Sequence, residues 1–281
     1  MRVETPAEQI LYSTVRLEIE GSEPHQIGAG TAFIFALKTE RGSLPCLVTN
    51  KHMVKGAQVG RFFFTTGTGN KPNVGEPLDI LMENFEAQWC GHPDPEIDVA
   101  AMSLGPLLHK ASTMGKEVFY RSIGQSLIPT AEQLEELDAL EEVVFVGYPS
   151  GIYDSVNLLP VFRRGVTATP IQMDYSGKPV FLVDASVFPG SSGSPVLIYN
   201  LGGYGSRKGL HAGTRLLFLG VIAQATYREE EGTLEFKSIP TALVPVVRTK
   251  QMINLGVVFK AITVVETAHE LLSVLASKGS I

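Results

Sequence analysis

Asp184-Ala185-Ser186-Val187-Phe188-Pro189-Gly190-Ser191-Ser192-Gly193-Ser194-Pro195-Val196 is the stretch in which the chain states a chemistry as well as a shape. Ser192 has Gly190 two residues before it and Gly193 directly after it, between the apolar runs Phe181-Leu182-Val183 and Val196-Leu197-Ile198. Such a turn can present one hydroxyl and several unpaired backbone N–H groups to one point, as acyl transfer requires of a nucleophile and its oxyanion site. A serine between glycines is equally what an ordinary hairpin turn looks like, so the stretch takes its meaning from the chain upstream.

Short runs rich in Val, Ile, Phe and Thr dominate that chain: 14–19, 30–37, 45–50, 61–65, 98–104, 143–146, 161–169, 180–183, 195–199, 216–225 and 255–262. Many are bounded by Gly, Pro, Asn or Asp, which predicts an all-β sandwich or barrel. Two stretches are predicted helical. Residues 130–142 carry Leu134, Leu137 and Leu140 at helical spacing behind Thr130, with an acidic outer face, and residues 265–276 carry Ala268, Leu271, Leu272 and Leu275 behind Thr267. The acidic helix divides the strands into two β units: 1–121, a linker 122–142, 143–264, and a terminal helix 265–281. The Gly-rich polar segments 67–75 and 200–213 are predicted to be exposed loops.

Two more strand ends carry polar residues that complete a constellation. In Cys46-Leu47-Val48-Thr49-Asn50-Lys51-His52-Met53-Val54 an apolar strand delivers a histidine, and in Glu96-Ile97-Asp98-Val99-Ala100-Ala101-Met102 an aspartate heads another. A hydrolytic serine needs a base within hydrogen-bond reach and a carboxylate that fixes the base's tautomer, which makes His52, Asp98 and Ser192 the candidate triad. Other chemistries fit badly. An α/β-hydrolase would need an acid and then a histidine after Ser192, yet no Asp follows Asp184. His269-Glu270 lacks the second histidine of a zinc-protease helix, and no glycine-rich phosphate loop is present, so neither metal nor cofactor is expected. His25, His92, His109, His211 and His269 match no motif and are read as structural or exposed.

These three motifs, in the order histidine, aspartate, serine, resemble those of the trypsin-like (chymotrypsin-fold) serine peptidases. Leu47 to Val54 is most similar to the bacterial HtrA-like and glutamyl-endopeptidase-like branches, and Val144-Phe145-Val146-Gly147-Tyr148-Pro149-Ser150-Gly151 resembles the strand that opens the family's second barrel. The resemblance implies two six-stranded antiparallel β-barrels with a C-terminal helix and the site in the cleft between the barrels. It implies a serine endopeptidase acting on a protein or peptide substrate, with an oxyanion hole from the backbone N–H groups of Gly190 and Ser192. It also places Ser186 at the base of the specificity pocket with Ala225 and Gly256 on its walls, which implies an uncharged, apolar P1 side chain. Ala223, Gln224 and Ala225 become the edge that takes substrate as an added strand. The insertion 226–252, with Glu229-Glu230-Glu231, adjoins that edge.

Two departures from the digestive enzymes of the family matter. Ser191 stands where those enzymes carry the Asp that pairs with a newly cut N-terminus, so activation by that route is not expected. Met53 follows His52 where they carry a half-cystine. The chain ends about one helix after the second unit, so a protease domain alone is expected. A different class of function, a catalytically silent or partner-activated scaffold that holds peptides, shares the same motifs and would bring in a regulatory protein partner.

Composition narrows the setting. A net charge of -6 and a pI near 5.6, without a basic cluster, argue against nucleic-acid binding. The apolar run 253–265 is short and broken by Lys260, so no membrane span is expected, and the N-terminus lacks the apolar core of a secretory signal, which points to the cytoplasm. Cys46 and Cys90, in a chain long enough to fold without staples, are expected to be free thiols.

Overall fold

The computed structural model describes residues 2–21, 27–233 and 246–279. Helix α1 (Pro6–Leu11) opens on a capping box: Thr5 Oγ1 accepts from the Glu8 N–H while the Glu8 carboxylate accepts from the Thr5 N–H. The chain then builds β1 (Thr14–Gly21), β2 (Ile27–Thr39), β3 (Gly42–Thr49), helix α2 (Lys51–Val54), β4 (Ala57–Thr68), β5 (Lys71–Glu83), β6 (Cys90–Gly91), β7 (Ala100–Ser103), helix α3 (Gly105–Thr113), β8 (Val118–Phe119) and β9 (Ile123–Gly124). These strands make one nine-stranded sheet ordered β5-β4-β1-β2-β3-β7-β6, with β8 on β4 and β9 on β2.

After α4 (Ala131–Glu136) come β10 (Glu142–Gly147), β11 (Val161–Thr167), β12 (Val180–Asp184), β13 (Pro195–Asn200), a separate hairpin of β14 (Gly203–Ser206) and β15 (Gly209–Ala212), then β16 (Arg215–Thr233), β17 (Val246–Lys260) and α5 (Ala261–Ser277). Six of these strands close a barrel in the order β10-β11-β12-β17-β16-β13. The molecule is thus all-β with a C-terminal helix, its first unit a large sheet and its second a closed barrel. No helix among the described residues is long and apolar enough to cross a membrane.

Several local expectations need correction. Segment 67–75 is not an exposed loop. Gly69 and Asn70, both at positive φ (50° and 59°), form a two-residue turn, and the chain returns as β5 with Thr68 opposite Lys71. The polar segment 200–213 likewise folds into the β14–β15 hairpin. Helix α4 stops at Glu136 instead of running to 142, because Leu137 turns extended and is buried in the barrel core, where Gln172 Nε2 donates to the carbonyls of Leu134 and Leu137. Leu140 consequently points outward, 66% exposed. Helix α5 begins at Ala261, so Thr267 is no cap: its hydroxyl donates to the Thr263 carbonyl from inside the helix. Helix α3 and the short α1 lie outside the two stretches predicted helical.

Three cores hold this together. One lies inside the first sheet around Phe62, Phe64, Ile80 and Phe85, and one inside the barrel around Phe145, Phe181 and Val258. The third is the seam between the units, where Phe33, Phe35, Cys46 and Val48 meet Val146, Leu197, Phe218 and Val221, with Val264, Ala268 and Leu271 of α5 closing its end. Phe33 and Phe218 pack with ring centroids 5.5 Å apart across it.

Candidate active site

Strand β3 is buried from Cys46 through Thr49 and hands the chain to α2, whose second residue is His52. Asn50 caps that helix in extended conformation, fully buried, and its Nδ2 donates to the Asp98 carbonyl at 2.7 Å. Because β3 pairs with β7 so that Thr49 faces Ala100, Asp98 arrives beside the start of α2. Its Oδ1 accepts from the His52 backbone N–H at 2.9 Å and its Oδ2 lies 2.5 Å from His52 Nδ1. A carboxylate only accepts, so Nδ1 carries the proton and Nε2 is left as the basic nitrogen. The His52 side chain is 47% exposed, open to an incoming substrate.

The Ser192 turn is shaped by two left-handed glycines, Gly190 (φ 85°) and Gly193 (φ 84°). At Gly193 a Cβ would stand 1.9 Å from the Thr31 carbonyl oxygen and 2.6 Å from Thr49 Oγ1, so the turn abuts both β2 and the strand that delivers His52. Of the five amides from Gly190 to Ser194, three are committed: Ser191 N–H to Phe188 O, Gly193 N–H to Ile222 O and Ser194 N–H to Ser191 O. Among the described residues, the N–H groups of Gly190 and Ser192 have no acceptor, and they are the two expected to face an oxyanion. Pro189 O accepts from Ser150 N–H at 2.5 Å, which fixes the peptide plane that carries the Gly190 N–H.

The hydroxyl of Ser192 donates to the Ala223 carbonyl at 3.1 Å, and no hydrogen bond joins it to His52. Catalytic hydrogen bonds commonly tighten only when substrate is bound. Ser191 and Ser194 are buried, their hydroxyls without partners among the described residues.

A family model described as the trypsin-like peptidase domain matches residues 30–202, a span that contains His52, Asp98 and Ser192. The chain belongs to that family. Among solved structures, this trypsin-like peptidase is similar to an M. tuberculosis protease in its active form (18% identity over 95% of this chain and 87% of that one, TM-score 0.47). It is also similar to a serine endoprotease from Yersinia pestis (13% identity, 97% and 68% coverage, TM-score 0.47) and to tobacco etch virus protease (11%, 80% and 73%, TM-score 0.44). No curated protein matches it in sequence.

In this trypsin-like peptidase the expected specificity residues gather around the end of β12. Ser186 is half-buried there, and the Ala185 N–H donates to Asn254 O at 2.8 Å. Gly256 is buried, and a Cβ on it would come within 2.6 Å of Val187 Cγ2, so buried Val187 packs directly against it. Ala223 is buried at a bulge of β16, followed by Gln224 opposite Val257 and Ala225 opposite Gly256. Side chains from Gln224 to Ile253, and residues 234–245 of the insertion entirely, lie outside the described residues, as does His25.

The other histidines have local roles. His92 is buried and bonded to Glu266, His211 stacks on Tyr204 and bonds Ser206, and His109 and His269 are exposed. Both cysteines are free. Burial pushes the Cys46 thiol up to about 12. Among the described residues no group of three or more His, Cys, Asp or Glu is arranged to hold a metal ion.

Proposed function

We propose that the protein is a serine endopeptidase in which Ser192 is the nucleophile, His52 the general base and then acid, and Asp98 the group that orients and charge-stabilises the imidazole. The observation that carries this reading is the two-point grip of Asp98 on His52, through the backbone N–H and through Nδ1, which leaves Nε2 as the only basic ring nitrogen. Ser192 Oγ adds to the scissile carbonyl as its proton passes to Nε2. The Gly190 and Ser192 N–H groups take the oxyanion, and the proton moves on to the leaving amine as the C–N bond breaks. Water then repeats the sequence on the acyl-enzyme.

The substrate strand adds along Ala223 to Ala225, and Ser186, Ala225 and Gly256 select an uncharged, apolar P1 side chain. A peptide-library profile dominated by P1 Arg or Lys would sink that preference. A fluorophosphonate probe tests the triad: wild type is labelled, and labelling vanishes in Ser192→Ala and in His52→Ala. Lack of labelling in well-folded wild type would refute it.

One observation favours a second reading. Ser192 donates to Ala223 O instead of to His52, the arrangement expected of a silent or partner-activated module. In that case, labelling would appear only after a peptide or a regulatory protein is added.

A further inference from the structure

Thr31 touches the nucleophile turn at more points than any residue of the triad. It is fully buried in β2, on the opposite side of the seam from Ser192. Its backbone N–H donates to Ser192 O at 3.2 Å, its hydroxyl donates to Gly190 O at 3.1 Å, and the same hydroxyl accepts from the Tyr148 N–H at 3.0 Å. Its carbonyl accepts from Thr49 Oγ1 at 2.8 Å, on the strand that leads to His52.

These contacts bear on orientation. Gly190 and Ser192 each own one of the two unpaired N–H groups, and each has its carbonyl held by Thr31. With the carbonyl plane after Gly190 fixed at its oxygen and the plane before it fixed through Ser150 N–H to Pro189 O, both torsions of Gly190 are determined. Ser150 in turn lies two residues after Tyr148, whose N–H ends on the Thr31 hydroxyl. Glycine at positive φ has the most freedom to rotate, so Gly190 is where an oxyanion turn would otherwise lose its aim.

Building on the serine-nucleophile reading, we propose that Thr31 is a positioning residue for the oxyanion site: its hydroxyl clamps Gly190 O against the Tyr148 N–H and so aims the Gly190 and Ser192 N–H groups at one point. The hydroxyl does the clamping, and the γ-methyl only fills space. A valine keeps the shape and leaves two buried polar groups without their partner.

The test compares Thr31→Val and Thr31→Ser with wild type, reading the maximal phosphonylation rate by a fluorophosphonate separately from its saturation constant. The downfield proton resonance of the His52–Asp98 bond is read beside them. Thr31→Val is expected to phosphonylate about 10–100-fold more slowly, short of the roughly 10²–10³ lost with an oxyanion donor itself. The saturation constant should stay within about threefold, since a transition-state contact is what has gone. The downfield resonance should persist, and Thr31→Ser should track wild type. If Thr31→Val does not fold, Thr31→Ala against Thr31→Ser makes the same comparison.

Thr31→Val reacting at the wild-type rate, Thr31→Ser as slow as Thr31→Val, or loss of the downfield resonance along with the rate would each overturn the proposal. So would failure of every hydroxyl-less variant to fold. Folded wild type that takes no label at all is a different outcome: it removes the nucleophile assignment, and the role of Thr31 with it.

Discussion

Gly193 meets two constraints at once, a positive φ and a backbone oxygen where its side chain would begin. Gly56 meets only the first: its φ is 74°, and nothing lies within 4 Å of a Cβ placed there. The pair separates torsional strain from collision. Gly56→Ala should cost about 1 kcal/mol in denaturant unfolding, whereas Gly193→Ala should cost more than about 3 kcal/mol or fail to fold, since backbone cannot move aside as a side-chain tip can. A similar cost for both would show that the turn yields more readily than the close approach implies. Ser192, His52 and Asp98 stand out in the sequence as a candidate triad because each lies near a strand end and the three follow in the order histidine, aspartate, serine. Thr31 is not, because its significance lies in what faces it across the seam. Its one local sign is Gly28 and Gly30 just ahead of it on β2, a spacing that marks close approach of another chain segment. At Gly30 the approaching group is Met53, whose Cε would lie 2.4 Å from a Cβ.

The elements that carry the site are tied down by side chains outside it. His92 shows how. Its backbone N–H donates to Val99 O, its Nδ1 accepts from the Asp94 N–H, and its Nε2–H is therefore free to meet Glu266 of α5. One buried ring thus anchors the loop that ends at Asp98 to the terminal helix. His92→Phe removes both side-chain bonds and returns the amide of exposed Asp94 and the half-exposed Glu266 carboxylate to water, at a cost of about 1 kcal/mol, and should slow fluorophosphonate labelling as Asp98 loosens. A denaturation curve and a labelling time course on one preparation check this, and a destabilised variant labelled at the wild-type rate would mean the loop holds Asp98 unaided. Short runs rich in Val, Ile, Phe and Thr between turn residues make most strands readable. Strand β5 is illegible because Pro72, Gly75 and Pro77 interrupt its run, and α3 because a helix of nine residues opened by Gly105-Pro106 looks like a strand's exit. The end of α4 is illegible because burial of Leu137, a tertiary event, overrides local helical spacing.

Across the whole molecule, the seam core makes the two units and α5 interdependent, since Phe33, Phe35, Val146, Phe218 and Val264 belong to one apolar cluster. Folding should therefore be a single transition, and the Cys46 thiol inside this cluster links it to pH. The thiol's folded value is raised from 9.0 to about 12 by burial. Below pH 9 it is protonated in both states and costs nothing. Between pH 9 and about 12 the unfolded chain releases a proton that the folded one retains, so stability falls as pH rises, at about 1.4 kcal/mol per unit. Burial raises the Tyr148 phenol as well, adding to the loss above its ordinary 10.0. Cys46→Ala should flatten part of the alkaline decline in melting temperature, and an unchanged slope would show that Cys46 does not carry it. The same burial gives the protein an internal clock. Cys90 is partly exposed, whereas Cys46 is sealed and donates its S–H to Phe35 O. A thiol reagent should therefore titrate one sulfur promptly and the other only as often as the seam breathes, so the lag between them times the opening of the two halves with no engineered cysteine.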